Sequence, residues 1–360
     1  MTLTAPVSDA QQRLWFLDRL SPGGAAYNIP TMLPIDGPES PERIAAAIDG
    51  LVERHGALRT TFVEIDGEPH QRVADRLKVA MAVVDLSARH EAERVRLLHA
   101  ACRDEVAKPF DLAVGPLVRA TLVRLAPDRQ LLLLTLHHIC ADAWSLGILL
   151  ADLAALLGGA APAGLPPQRT SYADFARWQR ERLSGPARPA LLGYWRERLS
   201  GAPEVIALPF DRPRPPVQSF AGAMRSFQVP EAVAADLRRL AARSHATPFM
   251  VLLAAFDILL ARYSGCMDFV VGTPYANRSR PEHEAVVGLV ANTLALRFRL
   301  SGDPSFLDVL DHVRETSLSA YEHADMPFER LVAELQPARA RDHTPVFQVL
   351  FALQNTPTLA

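Results

Sequence analysis

The stretch Gln130–His137 constrains the fold most strongly, because four consecutive leucines, Leu131–Leu134, leave it without a polar face. A strand with one face in water alternates apolar and polar residues, whereas a strand that is apolar on both faces lies in the middle of a covered sheet. We therefore expect a sheet with helices packed against it and this strand in a central position.

Helical and strand patterns alternate along the rest of the chain. The pair Asp66-Gly67 predicts a β-hairpin. No regular strand–helix–strand period and no glycine-rich phosphate loop accompanies these patterns, which argues against a Rossmann fold and favours a two-layer α/β sandwich in each of two lobes. The strands predicted are Arg59–Ile65, Pro69–Val73, Val79–Leu86, Leu117–Leu125, Gln130–His137, Asp268–Pro274, Thr293–Leu300 and Val346–Leu353. Helices are predicted at Ser8–Leu20, from Ser40-Pro41 onward, and at Ala88–Val106, Tyr172–Leu183, Ala187–Leu199, Glu231–Ser244, Pro248–Ser264, Ser305–Tyr321 and Phe328–Leu335.

The length of 360 residues predicts about two domains, at roughly 150 residues for each. Composition shifts towards glycine, alanine and proline at residues 158–167, and a proline-rich stretch follows at residues 208–216. These shifts predict an N-terminal lobe at 1–165, a helical and proline-rich connector at 166–217, and a C-terminal lobe at 218–360.

Charge and cysteine content exclude several classes of function. Forty acidic and 38 basic residues give a net charge of −2, which argues against a nucleic-acid binder and against a polybasic membrane-surface protein. Three widely spaced cysteines without a CxxC pair argue against a disulfide framework and against a zinc site. The first residues lack the pattern of a signal peptide, and we expect a cytoplasmic protein without a membrane partner.

The residues most suited to catalysis or ligand binding follow the apolar strand. Adjacent strand residues point to opposite faces, so one of His137 and His138 should be structural and the other should face a cleft. The residues alone leave four interpretations open: two core histidines with a helix-capping Asp142, a metal site, a nucleophilic Cys140, or a histidine general base whose surroundings Asp142 fixes. No HExxH pattern supports the metal, and the apolar neighbours of Cys140 favour a buried thiol.

Residues 137–145, HHICADAWS, resemble the HHxxxDG motif of condensation domains of nonribosomal peptide synthetases. That family belongs to the acyltransferase superfamily that includes chloramphenicol acetyltransferase. Six more segments resemble the family consensus SxAQxRLWxL, RHExLRT, YxDFA, IGxFVNT, HxDxPFE and PLFQV, and they occur in that order. These segments are Ser8–Leu17, Arg54–Thr60, Tyr172–Ala176, Val287–Thr293, His323–Glu329 and Pro345–Val349.

The resemblance implies two chloramphenicol-acetyltransferase-like α/β lobes in a V, with a tunnel that holds His138 at its centre. It implies that the amine of a downstream carrier-bound aminoacyl thioester attacks an upstream aminoacyl or peptidyl thioester and forms a peptide bond. The expected partners are the upstream donor and downstream acceptor peptidyl carrier proteins and an adjacent adenylation domain. Their 4′-phosphopantetheine arms enter the tunnel, so no cofactor bound directly by this chain is expected.

The resemblance also assigns roles to single residues. His138 becomes the catalytic residue, as a base or as a positioning group, and His137 becomes part of the buried structure. The superfamily pairs the motif aspartate, here Asp142, with a distant arginine. Arg278 at the end of a predicted strand is the candidate, and Arg280 and Arg297 are the alternatives. Arg59 is expected to brace the loop near His138.

The sequence departs from the family pattern in three places. Ala143 replaces the glycine of HHxxxDG, Gly56 replaces the glutamate of RHExLRT, and the FVNT segment becomes Val290–Thr293. A glycine allows a positive φ or a close backbone approach, so the methyl of Ala143 is expected to trim the donor side without abolishing activity. Trp144 is expected in the core.

Three finer expectations follow from the sequence. Ser21–Pro30 resembles domains whose donor ends in an L-residue. Family members continue beyond the PLFQV segment, so we expect an incomplete second lobe. Two alternatives to the condensation function stay open: a non-catalytic carrier-docking domain of the same fold, and a free-standing HHxxxD acyltransferase with a soluble acceptor.

Overall fold

The structure is a computed structural model that describes residues 3–218, 222–337 and 342–354. Contacts between Cα atoms divide these residues into two compact units. Unit 1 comprises residues up to 181 together with 278–291, and unit 2 comprises 182–277 and 292–354. The segment Arg278–Ala291 therefore belongs to unit 1, although both of its chain neighbours belong to unit 2.

Unit 1 contains two sheets and most of the strands. Its strands are β1 (Leu3–Pro6), β2 (Asn28–Asp36), β3 (Thr60–Ile65), β4 (Glu68–Val73), β5 (Met81–Asp85), β6 (Val118–Ala126) and β7 (Arg129–His137). One sheet has the order β1-β4-β3, and the other has the order β2-β7-β6-β5. The second sheet is antiparallel except for the parallel pair β5 and β6.

Most of the helices and both remaining strands follow the predicted pattern, whereas α9 was not predicted. In chain order they are α1 (Asp9–Leu20), α2 (Pro41–Arg54), α3 (Glu91–Ala107), α4 (Ala143–Leu157), α5 (Tyr172–Ser184), α6 (Ala187–Leu199), α7 (Glu231–Arg243), α8 (Pro248–Ser264), β8 (Asp268–Tyr275), α9 (Pro281–Glu284), β9 (Asn292–Arg299), α10 (Phe306–Glu322) and α11 (Phe328–Leu335). The predicted bounds of α1, α5, α6, α7, α8, α10 and α11 agree with these within one residue at each end.

The central position predicted for the leucine-rich strand is confirmed. Strand β7 pairs with β2 on one side and with β6 on the other. Leu132, Leu134 and Leu136 enter the main core of unit 1, whereas Leu133 enters a second apolar cluster with Leu86 and Val123. Burial on both faces removes any need for polar alternation, which explains the run of leucines.

The hairpin between β3 and β4 is also confirmed. Asp66 and Gly67 both have positive φ, +52° and +80°, as the two central residues of a tight type I′ turn require. Strand β2 was not predicted, because Pro30 and Pro34 interrupt it. Proline lacks a backbone N–H, and β2 tolerates it as an edge strand with β7 as its one neighbour in the described sheet.

Unit 2 packs helices against the two-stranded sheet of β8 and β9. The strand predicted at Val346–Leu353 is wrong. In this stretch the described backbone forms a single bridge, between Leu350 and Gly272, with the amide of Gly272 bonded to the carbonyl of Val349. Gly272 leaves room for Phe347, whose ring would overlap a β-carbon on residue 272.

The contact units differ from the predicted lobe bounds in two places. Residues 166–181, expected in the connector, belong to unit 1, and the rest of that connector belongs to unit 2. The segment Arg278–Ala291, expected in the second lobe, belongs to unit 1. Composition marks where a chain is rich in turns, but the contacts of a short segment decide which core it joins.

No single helix among the described residues is long and apolar enough to cross a membrane. Helices α7 and α8 meet the length and composition criteria together as a pair, and they are bent by 106° at the break between them.

Helix α8 of unit 2 carries a buried acid, Asp257. Its side chain is 4% exposed, and its Oδ1 atom has no hydrogen-bond partner among the described residues. It lines a small cavity with apolar side chains and with Arg297, His312, Thr316 and Ser317. Burial raises the pKa of the Asp257 carboxyl well above its ordinary value, because a buried ionised form loses its hydration.

Asp257→Asn is expected to stabilise the protein at neutral pH, and by more at pH 8 than at pH 5. Above the unfolded pKa of about 3.9 the unfolded chain loses a proton that folded Asp257 retains, so stability falls as pH rises towards the folded pKa. An amide does not ionise and removes this penalty. Urea unfolding at pH 5 and pH 8 measures the effect, with the exposed Asp303→Asn as control. A gain absent at pH 8 would contradict the assignment.

Candidate functional site

The end of strand β7 leads directly into the HHICADAWS segment. His137 is the last residue of β7, a single 3-10 turn covers His138–Cys140, and helix α4 starts after Asp142. The backbone N–H of His138 donates to the carbonyl of Tyr27 at 2.8 Å, which extends the pairing between the two strands. The motif therefore lies at the C-terminal end of the central strand β7.

The ring of His138 is held by the backbone that follows it. Its Nδ1 atom lies 2.8 Å from the carbonyl oxygen of Ala141. A carbonyl only accepts hydrogen bonds, so this contact assigns the proton to Nδ1. In the neutral ring Nε2 then carries a lone pair and is the basic atom. The side chain is half-buried, which suits a group that meets a substrate.

His137 has a different environment. Its side chain is 4% exposed and packs edge-on against Phe110 with 5.9 Å between ring centroids. Its Nδ1 accepts from the N–H of Ile139 at 3.1 Å. Burial, with a smaller contribution from His138, lowers the pKa of His137 to about 4. His137 is therefore neutral at pH 7 and places no positive charge beside His138.

Cys140 is a buried thiol. Its Sγ lies 3.1 Å from the carbonyl of His137, and burial raises its pKa to about 12. Because the thiolate is the reactive form of cysteine, this environment opposes nucleophilic chemistry. The interpretation of Cys140 as a small core residue agrees with this environment.

The carboxylate of Asp142 is the centre of a buried network that lies apart from the ring of His138. Oδ1 accepts from the N–H and the hydroxyl of Ser145, at 2.8 and 2.7 Å. Oδ2 accepts from the backbone N–H groups of Val290 and Ala291, at 3.1 and 3.0 Å. Asp142 therefore caps α4 and fixes the segment Arg278–Ala291 at the same time.

The ion pair predicted between Asp142 and Arg278 is present. The guanidinium donates from Nη1 to Oδ2 at 2.9 Å and from Nη2 to Oδ1 at 3.0 Å, a bidentate arrangement with both side chains almost fully buried. The two alternatives have other partners: Arg280 pairs with Glu282, and Arg297 pairs with Asp268. With its charge neutralised, Asp142 leaves His138 free of a bare neighbouring carboxylate.

Ala143 is the first residue of α4 and has helical backbone. A glycine at this position could serve a positive φ or a close backbone approach. The helical backbone excludes the positive φ in this chain. The side chain is exposed, so the methyl changes space beside the His138 turn and leaves the backbone path unchanged.

Ala143→Gly is expected to keep or raise the rate of peptide-bond formation, with the larger gain for bulky donors. Removal of the methyl widens the space beside His138, while glycine at a helix start lowers stability by at most about 1 kcal/mol. Rates with a small and a bulky donor, combined with melting temperatures, measure both effects. A variant that folds but has no activity would contradict this interpretation of position 143.

Arg59 does not brace the loop near His138 as expected. Its guanidinium donates to the backbone carbonyls of Val52, Glu53, Ala74 and Asp75, and so it ties the end of α2 to the segment after β4. A guanidinium has five N–H donors and can bind several carbonyl groups at once. The sequence pattern does not specify which carbonyl groups these are.

The histidine of the RHGALRT segment is structural as well. His55 Nε2 lies 2.8 Å from Asp152 Oδ2 on α4, and Arg54 Nε donates to the same oxygen at 2.7 Å. Gln168 lies 2.6 Å from the other ring nitrogen of His55. Burial lowers the pKa of His55. This motif therefore joins α2 to α4, the helix that follows His138.

Two supporting residues, Gln11 and Tyr172, belong to motifs in which the sequence predicted no role for them. Gln11 Nε2 donates to the carbonyl of Ile139 at 3.2 Å and so holds the 3-10 turn that carries His138. Gln11 also completes a capping box with Ser8, a pattern that S-x-x-Q in the sequence signals. Tyr172 donates to the carbonyl of Leu289 at 2.7 Å, and its hydroxyl lies 2.8 Å from that of Ser8.

Trp144 is not a core residue as expected. Its side chain is half-buried, and its indole Nε1 donates to the carbonyl of Glu284 at 3.0 Å. The guanidinium carbon of Arg278 lies 5.8 Å from the centre of its ring. Trp144 therefore adds to the contacts that hold the segment Arg278–Ala291.

Comparison with known proteins assigns this architecture. A family model described as the condensation domain matches residues 1–359. Phosphinothricin tripeptide synthetase PhsC of Streptomyces viridochromogenes is 48% identical over 353 residues, which is 97% of this chain and 32% of that protein. The chain thus spans about a third of the length of this relative.

Solved structures resemble the fold closely. The X-domain from teicoplanin biosynthesis, solved alone and in complex with OxyB, has a TM-score of 0.85 and 28% identity over 96% of this chain and 76% of that one. The first condensation domain of the calcium-dependent antibiotic synthetase has a TM-score of 0.79 and 24% identity over 97% of this chain and 79% of that one.

The chain belongs to the condensation-domain family of nonribosomal peptide synthetases. Its mixed α/β fold matches the two-lobed, chloramphenicol-acetyltransferase-like fold of condensation-domain structures. Its function is that of the family, the formation of a peptide bond.

Proposed function

We propose that peptide-bond formation in this chain takes place at His138, between two substrates held as thioesters on carrier proteins. The nitrogen of the downstream amine attacks the carbonyl carbon of the upstream thioester. A C–N bond forms, the C–S bond breaks, and the proton of the amine ends on the departing sulfur. The observation that carries the proposal is the contact between His138 Nδ1 and the Ala141 carbonyl, which leaves Nε2 basic in a half-buried ring.

His138 faces a modest chemical task in this reaction. A thioester is already activated, and a free α-amine has a pKa of about 7.7–8.0, so part of it is neutral at pH 7. Alignment of two tethered reactants contributes up to about 7–11 kcal/mol. Nε2 of His138 therefore accepts a hydrogen bond from the amine, orients it and takes up its proton as the new bond forms, for an effect at or below about 10²–10⁴-fold.

The surroundings of His138 support this role. His137 is neutral because its burial lowers its pKa to about 4, so it does not repel a proton that arrives at His138. Asp142 directs its carboxylate to Arg278, Ser145 and backbone amides, and so it acts as a structural residue. His138 thus works without Asp142 as a carboxylate partner.

The partners and substrates follow from this chemistry. We propose donor and acceptor peptidyl carrier proteins as partners, each with its own 4′-phosphopantetheine arm, and an adenylation domain that supplies the activated amino acid. This chain then binds no cofactor of its own. The Ser21–Pro30 segment supports a donor that ends in an L-residue. Within it, Asn28 donates to the carbonyls of Val106 and Lys108, which fixes the start of β2 beside His138.

A second candidate is a docking domain that recruits another protein without catalysis. The likeness to the X-domain, which was solved in complex with OxyB, favours this candidate. The retention of both motif histidines and the basic Nε2 of His138 favours catalysis.

The test is a reconstitution with two loaded carriers. The donor carrier carries an L-aminoacyl group, the acceptor carrier carries a second amino acid, and intact-protein mass spectrometry follows a dipeptidyl group on the acceptor. A D-aminoacyl donor and an acceptor with a blocked amine serve as controls. Dipeptide formation with the L-donor supports the proposal. Wild-type protein that binds the carriers without forming product would favour the docking function.

A further inference from the structure

The hydroxyl of Ser145 lies at the meeting point of the buried network. Its Oγ donates to Asp142 Oδ1 at 2.7 Å, and it accepts from the N–H of Gly288 at 3.0 Å and from Arg278 Nη2 at 3.2 Å. The side chain is fully buried. This one hydroxyl therefore joins the start of α4 to the segment Arg278–Ala291.

The single proton of this hydroxyl has two acceptors within reach. Asp142 Oδ1 lies at 2.7 Å and the carbonyl of Gly288 at 2.9 Å. A carboxylate is the stronger acceptor, so the proton points towards Asp142. The two N–H donors, from Gly288 and Arg278, then occupy the lone pairs of the oxygen. The orientation of Ser145 is thereby fixed on every side.

A short path leads from Ser145 to His138. The carbonyl of Ala141 and the backbone N–H of Asp142 belong to one planar peptide unit. A shift in the backbone of Asp142 that tilts this peptide unit therefore turns the Ala141 carbonyl, which accepts the hydrogen bond from His138 Nδ1. A carbonyl turned away no longer favours the proton on Nδ1, and the ring can then place it on Nε2.

We propose that Ser145 is a positioning residue that keeps His138 in the tautomer with a basic Nε2. The proposal rests on the proposed function of His138 for its effect on the reaction, but its effect on the tautomer stands independently. In Ser145→Ala the N–H of residue 145 still caps α4 through Asp142 Oδ1, and Arg278 still pairs with Asp142. The fold is therefore retained, while Oδ1 keeps two of its three donors and loses the hydroxyl, so the start of α4 and the peptide unit before Asp142 are held less tightly.

The experiment reads the tautomer directly. Long-range ¹H–¹⁵N correlation spectra of protein labelled with ¹⁵N-histidine separate rings protonated at Nδ1 from rings protonated at Nε2, and a His138→Gln variant identifies the His138 signals. The matched control is Ser305→Ala, because Ser305 also caps a helix and also bonds an aspartate, Asp308, but in unit 2.

Wild type and Ser305→Ala are expected to show His138 protonated at Nδ1, and Ser145→Ala is expected to show a mixture of tautomers. Condensation by Ser145→Ala should fall about tenfold in kcat with KM for the loaded carriers nearly unchanged, since the base is lost and not the binding surface. Ser145→Cys keeps the shape with a weaker donor and replaces Ser145→Ala if the latter does not fold.

An unchanged His138 tautomer in a folded Ser145 variant would overturn the role of Ser145. A changed tautomer with an unchanged condensation rate would support that role and contradict the proposed role of His138 in the reaction. The two failures are therefore separate, because the spectra need no carrier protein.

Discussion

Asp142→Ala is expected to lower the free energy of unfolding by about 3–5 kcal/mol, because it leaves the buried guanidinium of Arg278 without its carboxylate. The backbone amides of Val290 and Ala291 lose their acceptor in the same step. The variant should therefore be less soluble and should melt earlier than wild type, and these defects should exceed any clean loss of catalysis. Urea unfolding followed by circular dichroism measures the change.

Asp174→Ala is the matched control for this prediction. Asp174 lies in the first turn of α5, bonds Ser171 and pairs with Arg177, but it is exposed. An exposed pair contributes at most about 1 kcal/mol, so this variant should resemble wild type. A loss below about 1 kcal/mol in Asp142→Ala as well would contradict the buried network.

Gly288→Ala is expected to disrupt the packing of the segment Arg278–Ala291. A β-carbon at position 288 would overlap the ring of Tyr172, and the backbone of Gly288 has a φ of +154°. The ring is buried, and its hydroxyl is bonded to the carbonyl of Leu289, so it has little freedom to move. Overpacking of a core costs about 1–3 kcal/mol and more where the neighbour is fixed.

The control for Gly288→Ala is Gly193→Ala. Gly193 lies within α6, and a β-carbon there would meet no described atom within 4 Å. Alanine favours helix over glycine by up to about 1 kcal/mol, so this control should be neutral or slightly stabilised. Melting temperatures of the two variants give the comparison. If Gly288→Ala and Gly193→Ala have the same melting temperature, the close contact between Gly288 and Tyr172 is contradicted.

The central sheet of unit 1 was predictable because its signals are local. The leucine run predicted β7, and Asp66-Gly67 predicted the hairpin, since each pattern is a consequence of backbone geometry over a few residues. Strand β2 was missed because Pro30 and Pro34 contradict strand propensity. A neighbour distant in sequence, β7, provides the pairing that overrides this propensity.

The prediction of a strand at Val346–Leu353 was wrong for the opposite reason. Its apolar residues have strand propensity, but the described backbone forms one bridge to Gly272. Val346 has a φ of +70°, which is rare for a β-branched residue and interrupts the extended path. Propensity describes what a segment tolerates, whereas pairing depends on the partner it meets.

The sequence predicted the ion pair of the candidate site but not the residues that hold the site in place. Arg278 was identified as the partner of Asp142 through the resemblance to a family, since no local pattern joins residues 136 positions apart. Arg59 was misplaced because an arginine in a motif indicates a donor without indicating its acceptors. Ser145 and Gln11 belong to recognisable motifs, yet their roles depend on carbonyls and amides that a sequence does not label.

Several family motifs converge on the turn that carries His138. Gln11 of the first motif holds the carbonyl of Ile139, and Gly288 of a late motif bonds Ser145 beside Asp142. Tyr172 of a middle motif bonds the segment that contains Gly288. Three motifs that lie far apart in the sequence therefore help to position the segment from His138 to Ser145.

The most direct test of the central claim is the single-turnover rate of peptide-bond formation between two loaded carriers by wild type and His138→Ala. We expect a rate at least about tenfold lower in the variant, with an unchanged melting temperature, because the alanine removes the basic Nε2 and no structural bond of Asp142. His99→Ala, at an exposed position on α3, is the matched control and should retain the wild-type rate. Equal rates for wild type and His138→Ala would contradict both the proton-accepting and the positioning role of His138.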